Sequence, residues 1–207
     1  MKKLFLSSVA CITLDKVVPL LPNTPNKLKV AFVLTASNPY KDKSWLYKDR
    51  NKLVEMGFKV EDVDIEGKTE KELRKTLVGI DVLFVSGGNT FYLLEKAIVS
   101  GFDKLAKELI NKGIVYIGSS AGSVFVCPTI DFVEGLDDPK IAPSLTSYEG
   151  LNEVDFLVMP HYGDDEYKET YKKILEKWKD KGYKLKLLSN DEAVVVEGDK
   201  SRIVKAS

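Results

Sequence analysis

This chain of 207 residues is short of four things: an excess of either charge, cysteine, histidine and long apolar runs. Lys+Arg and Asp+Glu number 31 each, so the formal net charge is zero. That balance argues against nucleic acid as the main partner, because phosphate binding needs a clustered positive excess. The basic pair Lys172 and Lys173 reads instead as the solvated face of a helix. The two cysteines, Cys11 and Cys127, are too few for a disulfide framework and suit a reducing, cytoplasmic compartment. With one histidine and no metal-type cysteine spacing, a zinc cage is not expected. No stretch approaches the roughly 20 apolar residues that span a bilayer, so no membrane association is expected.

What the chain does have is the make-up of a globular protein, 44% hydrophobic and 30% charged. Its length suits one domain over residues 1–207. The opening MKKLFLSSVAC superficially resembles a lipoprotein signal, with two lysines and an apolar run before a cysteine. The apolar run is short, however, and Asp15 follows closely. LFLSS is therefore read as the first strand of a parallel sheet, followed by a helical stretch through Leu21.

Short β-rich runs then alternate with helical patterns. VAFVLTA, KVEDVDI, DVLFVSGG, IVYIGSS, DFLVMPH, KLKLLS and EAVVVEG read as strands, with a short terminal strand near Ile203. Helices are expected over SWLYKDRNKLVEMG, after Thr69, over 90–101 and 102–113, and across residues 165–181. Thr69 and Glu72 have the spacing of a capping box. The alternation implies an α/β fold with helices on both faces of a mostly parallel sheet. Sites in such sheets lie beyond the carboxyl ends of the strands. That places any chemistry just after VLFVS, VYIGS and FLVMP.

Gly118-Ser119-Ser120-Ala121-Gly122 fits G-x-S-x-G between a strand and a helix, the context of a nucleophile elbow. The sharp turn strains its central residue, and small flanks let the backbone fold back. Position within the motif selects Ser120 over Ser119 and Ser123. A serine hydroxyl needs a base near neutral pH, and the sole histidine, His161, ends a strand in VMPHYG. Oxyanion donors are expected from the Ala121 N–H and from the Ser86-Gly87-Gly88-Asn89-Thr90 turn, at Gly88.

SGGNTFYLL, YIGSSAGS with CPTI shortly after, and MPHYG, in this order and spacing, resemble the S51 peptidases. This is the aspartyl dipeptidase (peptidase E) and cyanophycinase group, which shares a three-layer, flavodoxin-like fold with class I glutamine amidotransferases. The resemblance covers nearly the whole chain and implies a cytoplasmic serine dipeptidase acting on short peptides, with no metal or organic cofactor. It makes Ser120 the nucleophile, His161 the base, and Gly88 with Ala121 the oxyanion donors.

Two departures from that pattern stand out. The acid that orients the histidine falls in LLSNDEAVVV, where the simplest register places Asn190, and Asp191 and Glu192 are the next residues. Asp137 and Asp138 are weaker alternatives. An asparagine can hold an imidazole by a hydrogen bond but stabilises the imidazolium less than a carboxylate does. The arginine that pairs with an acidic substrate side chain in the Asp-specific enzymes falls in Glu169-Thr170-Tyr171, where Tyr171 replaces it. Tyrosine cannot form that bidentate pair, so strict aspartyl specificity is not expected. Alternatives to the peptidase are a ligand- or peptide-binding module on the same fold and an amidotransferase-like hydrolase. The latter is disfavoured because the nucleophile is serine and His161 is followed by Tyr162 and Gly163.

Overall fold

A computed structural model describes residues 1–206. The strand β1 (Lys3–Ser7) leads into a short helix α1 (Ala10–Thr13), which tightens into a 3-10 helix over Leu14–Leu20. Pro19 lies inside that segment and cannot donate an N–H to it, so the expected helical stretch never becomes a regular α-helix. There follow β2 (Lys29–Val33), α2 (Ser44–Glu55), β3 (Lys59–Val63), α3 (Glu70–Thr76) and β4 (Val82–Val85). The helices α4 (Thr90–Ser100) and α5 (Phe102–Asn111) precede β5 (Val115–Ser119) and α6 (Ala121–Phe125). The chain continues through β6 (Phe156–Met159), α7 (Lys168–Trp178), β7 (Lys184–Leu187), β8 (Glu192–Glu197) and β9 (Lys200–Lys205).

Local sequence accounts for several boundaries. Thr69 caps α3 through the Glu72 N–H, while the Glu72 carboxylate accepts the Thr69 N–H at 2.9 Å, closing the expected capping box. Gly101, at φ 76°, ends α4 and starts α5 in one residue, a left-handed turn that glycine takes without a Cβ clash.

Seven strands form one sheet in the order β3-β2-β4-β5-β1-β8-β9. The first five run parallel, while β8 and β9 close one edge antiparallel. Successive side chains alternate between two cores. Phe5, Phe32, Phe84 and Ile117 pack with Leu14, Val17, Leu46 and Leu53 on one face. Leu6, Val33, Val85 and Tyr116 pack on the other with residues of α3 to α7. The result is a three-layer α/β/α arrangement, as expected. LFLSS lies inside this sheet, paired with β5 on one side and β8 on the other.

Two strands are placed differently from expectation. FLVM pairs with KLKL in a separate two-stranded parallel sheet and does not extend the main one. All four β6 residues are nonetheless buried, packed with Tyr171, Ile174 and Trp178 of α7.

Candidate active site

The carboxyl ends of β1, β4 and β5 emerge side by side, because Ser7 pairs with Ser119 and Val85 with Gly118. Ser8, the Gly87–Gly88 turn and Ser120 therefore share one edge. Ser120 has φ 48° and ψ −109°, a strained conformation for a residue with a Cβ. The surrounding packing enforces it. A Cβ on Gly122 would lie 2.0 Å from the Val85 carbonyl oxygen, and one on Gly118 would lie 2.6 Å from Gly122. Only glycine lets α6 start this close to the sheet. The Ser120 N–H is held by the Ser7 carbonyl at 3.0 Å, which fixes the turn from beneath.

The two serines of the motif and Ser123 just after it separate cleanly. The Ser119 Oγ accepts the Ala10 N–H at 3.2 Å, and the buried Ser123 Oγ donates to the Ser7 carbonyl at 2.8 Å. Ser120 alone directs its hydroxyl to the histidine, with Oγ 2.9 Å from His161 Nε2.

His161 follows β6 at φ 58°, a second left-handed non-glycine residue. Its N–H donates to Ser8 Oγ at 2.8 Å. Tyr171 hydroxyl donates to the His161 carbonyl at 2.7 Å and lies 3.2 Å from that of Pro160. Main-chain bonds from Leu188 N–H to Met159 and from Tyr162 N–H to Leu188, each 2.9 Å, tie this turn to the segment before β8. That tie brings Asn190 alongside the ring, with Oδ1 2.7 Å from Nδ1.

Of the acids weighed from sequence, none touches the ring. Asp191 accepts from Ser189 Oγ at 2.6 Å and pairs with Lys205 at 3.3 Å, directed away from the site. The register is thus the simplest one, and a shift that would place Asp191 on the histidine does not occur. Glu192 accepts the Ser189 N–H, and Asp138 accepts the Lys140 N–H. Asp137 does line the pocket, but its carboxylate accepts the Thr90 N–H at 2.8 Å. Burial pushes its carboxyl above the usual range.

Tyr171 is neither surface-exposed nor free to bind substrate through its hydroxyl. It is 3% exposed and its O–H is committed to the backbone of the histidine turn. Its ring packs edge-on to Tyr162 and Tyr167 and forms part of the cavity wall.

A cavity of about 300 Å³ opens beside Ser120. Its walls include Tyr40, Trp45, Asp49, Gly87, Gly88, Ala121, Leu136, Asp137 and Tyr167. Ala121 opens α6, so its N–H has no helical acceptor behind it. Gly88, at φ 142°, passes so near Ala36 that a Cβ would meet the carbonyl oxygen at 2.1 Å. Among the described residues that line the cavity there is no lysine or arginine, while two acids are present, Asp49 buried and Asp137 half-buried. Burial lifts Asp49 to about 6, against the lowering effect of hydrogen bonds from Ser119 and the Cys11 N–H. The same cause pushes the thiols of Cys11 and Cys127 up to about 11 and about 12, so neither is a competing nucleophile near neutral pH.

Ser8, Asp49 and Asp164 were not singled out from sequence. Ser8 had a signal, since it follows a strand predicted to end at the same edge. Asp49 had none, being one of many acids on an amphipathic helix. Asp164 lies three residues after His161, and its carboxylate oxygens are 3.1 and 3.3 Å from Asn190 Nδ2.

A serine on a strained strand-to-helix turn, within hydrogen-bond reach of the chain's sole histidine, marks a serine hydrolase. More narrowly, the family model described as Peptidase family S51 matches residues 11–204, and the chain belongs to that family of serine peptidases. It is 36% identical over 201 residues to an uncharacterized peptidase of Listeria monocytogenes serovar 1/2a, covering 96% of each chain. An uncharacterized peptidase of Pasteurella multocida is 32% identical over 207 residues, covering 100% of this chain and 99% of its own. Among solved structures, a candidate peptidase E protein from Listeria monocytogenes EGD-e superposes with a TM-score of 0.92 at 34% identity, covering 100% of both chains. Among the described residues no helix is long and apolar enough to cross a membrane, and no group of three or more His, Cys, Asp or Glu is placed to hold a metal ion.

Proposed function

We propose that this protein hydrolyses dipeptides or short peptides with a free amino end, through Ser120 and His161, and is not selective for aspartate at the residue preceding the cleaved bond. The observation that carries the reading is the 2.9 Å contact between Ser120 Oγ and His161 Nε2 at the edge of the cavity. In the first step Nε2 takes the hydroxyl proton as Oγ attacks the peptide carbonyl. The N–H groups of Ala121 and Gly88 receive the oxyanion, and the helix N-terminus adds partial positive charge. Nε2 then returns the proton to the departing amine, leaving an acyl group on Ser120. Water activated by the same nitrogen releases the acid and restores the serine.

The specificity reading rests on charge. A carboxylate side chain brought into this cavity would face Asp49 and Asp137 with no cation beside it, at a cost of several kcal/mol. A substrate ammonium, by contrast, would meet the Asp137 carboxylate. Trp45, Tyr40, Tyr167 and Leu136 suit a neutral apolar or aromatic side chain. The test is kcat/KM for Asp-Leu beside Ser-Leu, Leu-Leu and Phe-Leu, each with a free and an acetylated amino end. Neutral residues should be cleaved at least as well as aspartate, and acetylation should cost most of the rate. A hundredfold preference for Asp-Leu would overturn the specificity, and failure to cleave any of these peptides would overturn the substrate class.

A further inference from the structure

Asn190 stands where a triad normally has its acid, and an amide has a weakness that a carboxylate lacks. Its two ends differ: Oδ1 only accepts and Nδ2 only donates. Rotating the amide by half a turn would present Nδ2 to the ring, stabilise the opposite imidazole tautomer and put the proton on Nε2. Nε2 must instead be unprotonated to take the proton of Ser120. Something has to choose the amide's orientation.

Asp164 makes that choice. His161 to Asp164 forms a tight turn, closed by the Asp164 N–H on the His161 carbonyl at 3.2 Å, with Gly163 at φ 101°. The turn carries the Asp164 carboxylate beneath Asn190, 3.1 and 3.3 Å from Nδ2. A carboxylate can only accept, so it attracts Nδ2 and repels Oδ1. The remaining end, Oδ1, then faces His161 Nδ1 at 2.7 Å and requires the proton there. Ser8 Oγ supports the same orientation, lying 3.4 Å from Oδ1.

We infer that Asp164 is a positioning residue that sets the histidine tautomer through Asn190, so that this site works as a four-part relay of Ser120, His161, Asn190 and Asp164. Asp164 touches no reacting atom. The carboxyl groups of Asp49 and Asp137 also act on His161 electrostatically, but neither is hydrogen-bonded to Asn190. Asp164 is half-buried, so its charge is partly screened at the ring and its main effect is geometric.

The inference rests on the serine-hydrolase reading of the site, and its test avoids any choice of substrate. His161 is the only histidine in the chain, so ring nitrogen-15 shifts report its tautomer without assignment. At about pH 9, above the ordinary imidazole range, the unaltered protein should show the Nδ1–H form, and Asp164→Ala a mixture of both. The rate of Ser120 labelling by a fluorophosphonate should fall about ten- to a hundredfold, as when an outer partner of a functional histidine is lost. In an Asn190→Asp background the sign should reverse. There Asp164 opposes a second carboxylate, while the ring no longer needs an oriented amide, so Asp164→Ala should speed labelling. Equal losses in both backgrounds would mean a purely structural role and overturn the inference, as would an unchanged tautomer in Asp164→Ala. If that variant does not fold, Asp164→Asn carries the same comparison. The expected tautomers and labelling in a protein that cleaves no peptide would sustain the relay and refute only the substrate class.

Discussion

Tyr171→Phe separates two roles that one side chain could have. The ring stays, so the cavity wall and the edge-on contacts to Tyr162 and Tyr167, at 5.5 and 6.2 Å between centroids, are kept. Only the hydroxyl is lost. It serves the carbonyls of His161 and Pro160, at 2.7 and 3.2 Å; removing it takes a donor from both and leaves the His161 carbonyl the Asp164 N–H at 3.2 Å. Such a loss costs about 1–3 kcal/mol. His161 stands at φ 58°, a conformation that itself costs roughly 1–3 kcal/mol and persists only while its surroundings hold it. Losing a main restraint should let the turn relax and move Nε2 away from Ser120. If about half of the hydroxyl's energy holds the productive geometry, kcat falls by roughly tenfold, since 1.36 kcal/mol is one decade. Two assays check this: kcat/KM across dipeptides that differ in the residue before the cleaved bond, and urea unfolding. The rate should fall by the same factor for every substrate, with stability lower by about 1–3 kcal/mol. A changed order of preference with kcat intact would refute the reasoning and make the tyrosine a selector.

The other expectations are narrower. Ser120→Ala should lower hydrolysis by several orders of magnitude, whereas Ser119→Ala, whose hydroxyl serves Ala10, should keep much of it; equal losses in both would sink the assignment. Gly122→Ala should disrupt the elbow, because its Cβ would lie 2.0 Å from the Val85 carbonyl, and a variant with native labelling of Ser120 would contradict that packing. Asp49 binds its proton more tightly folded than unfolded, so its stabilising contribution is complete below about pH 4 and is lost as pH rises through about 6. Above that the buried ion costs about 3 kcal/mol, and Asp49→Asn should gain stability over the parent by that order between pH 4 and 7. Urea unfolding at both pH values checks it, and a pH-independent difference would refute it.

The sequence by itself determined the parts whose causes are local. Alternating apolar runs and helical patterns were enough for the α/β layers, because their periodicity decides which side chains can be buried. Thr69 with Glu72 specified a capped helix start, since both partners lie within one turn. The elbow was legible because Gly118, Ser120 and Gly122 lie within five residues and only glycine at 118 and 122 tolerates that approach of helix and sheet. The sole histidine left no rival for the base.

What surrounds the histidine was decided only by tertiary structure. Asn190 and Asp191 are the two central residues of a tight turn, closed by the Glu192 N–H on the Ser189 carbonyl at 3.0 Å, and the pairing of Leu188 with Met159 sets which of them meets the ring. Tyr171 falls where a substrate-pairing arginine is expected, but the packing of α7 against β6 buries it and turns its hydroxyl to the histidine turn. Ser8 meets Asn190 across 182 positions, and Asp164 meets it across 26. No local pattern encodes contacts at such separations. They exist because the small β6–β7 sheet docks its histidine turn against the ends of β1 and β5, and hydrogen bonds formed there are as directional as any in a helix.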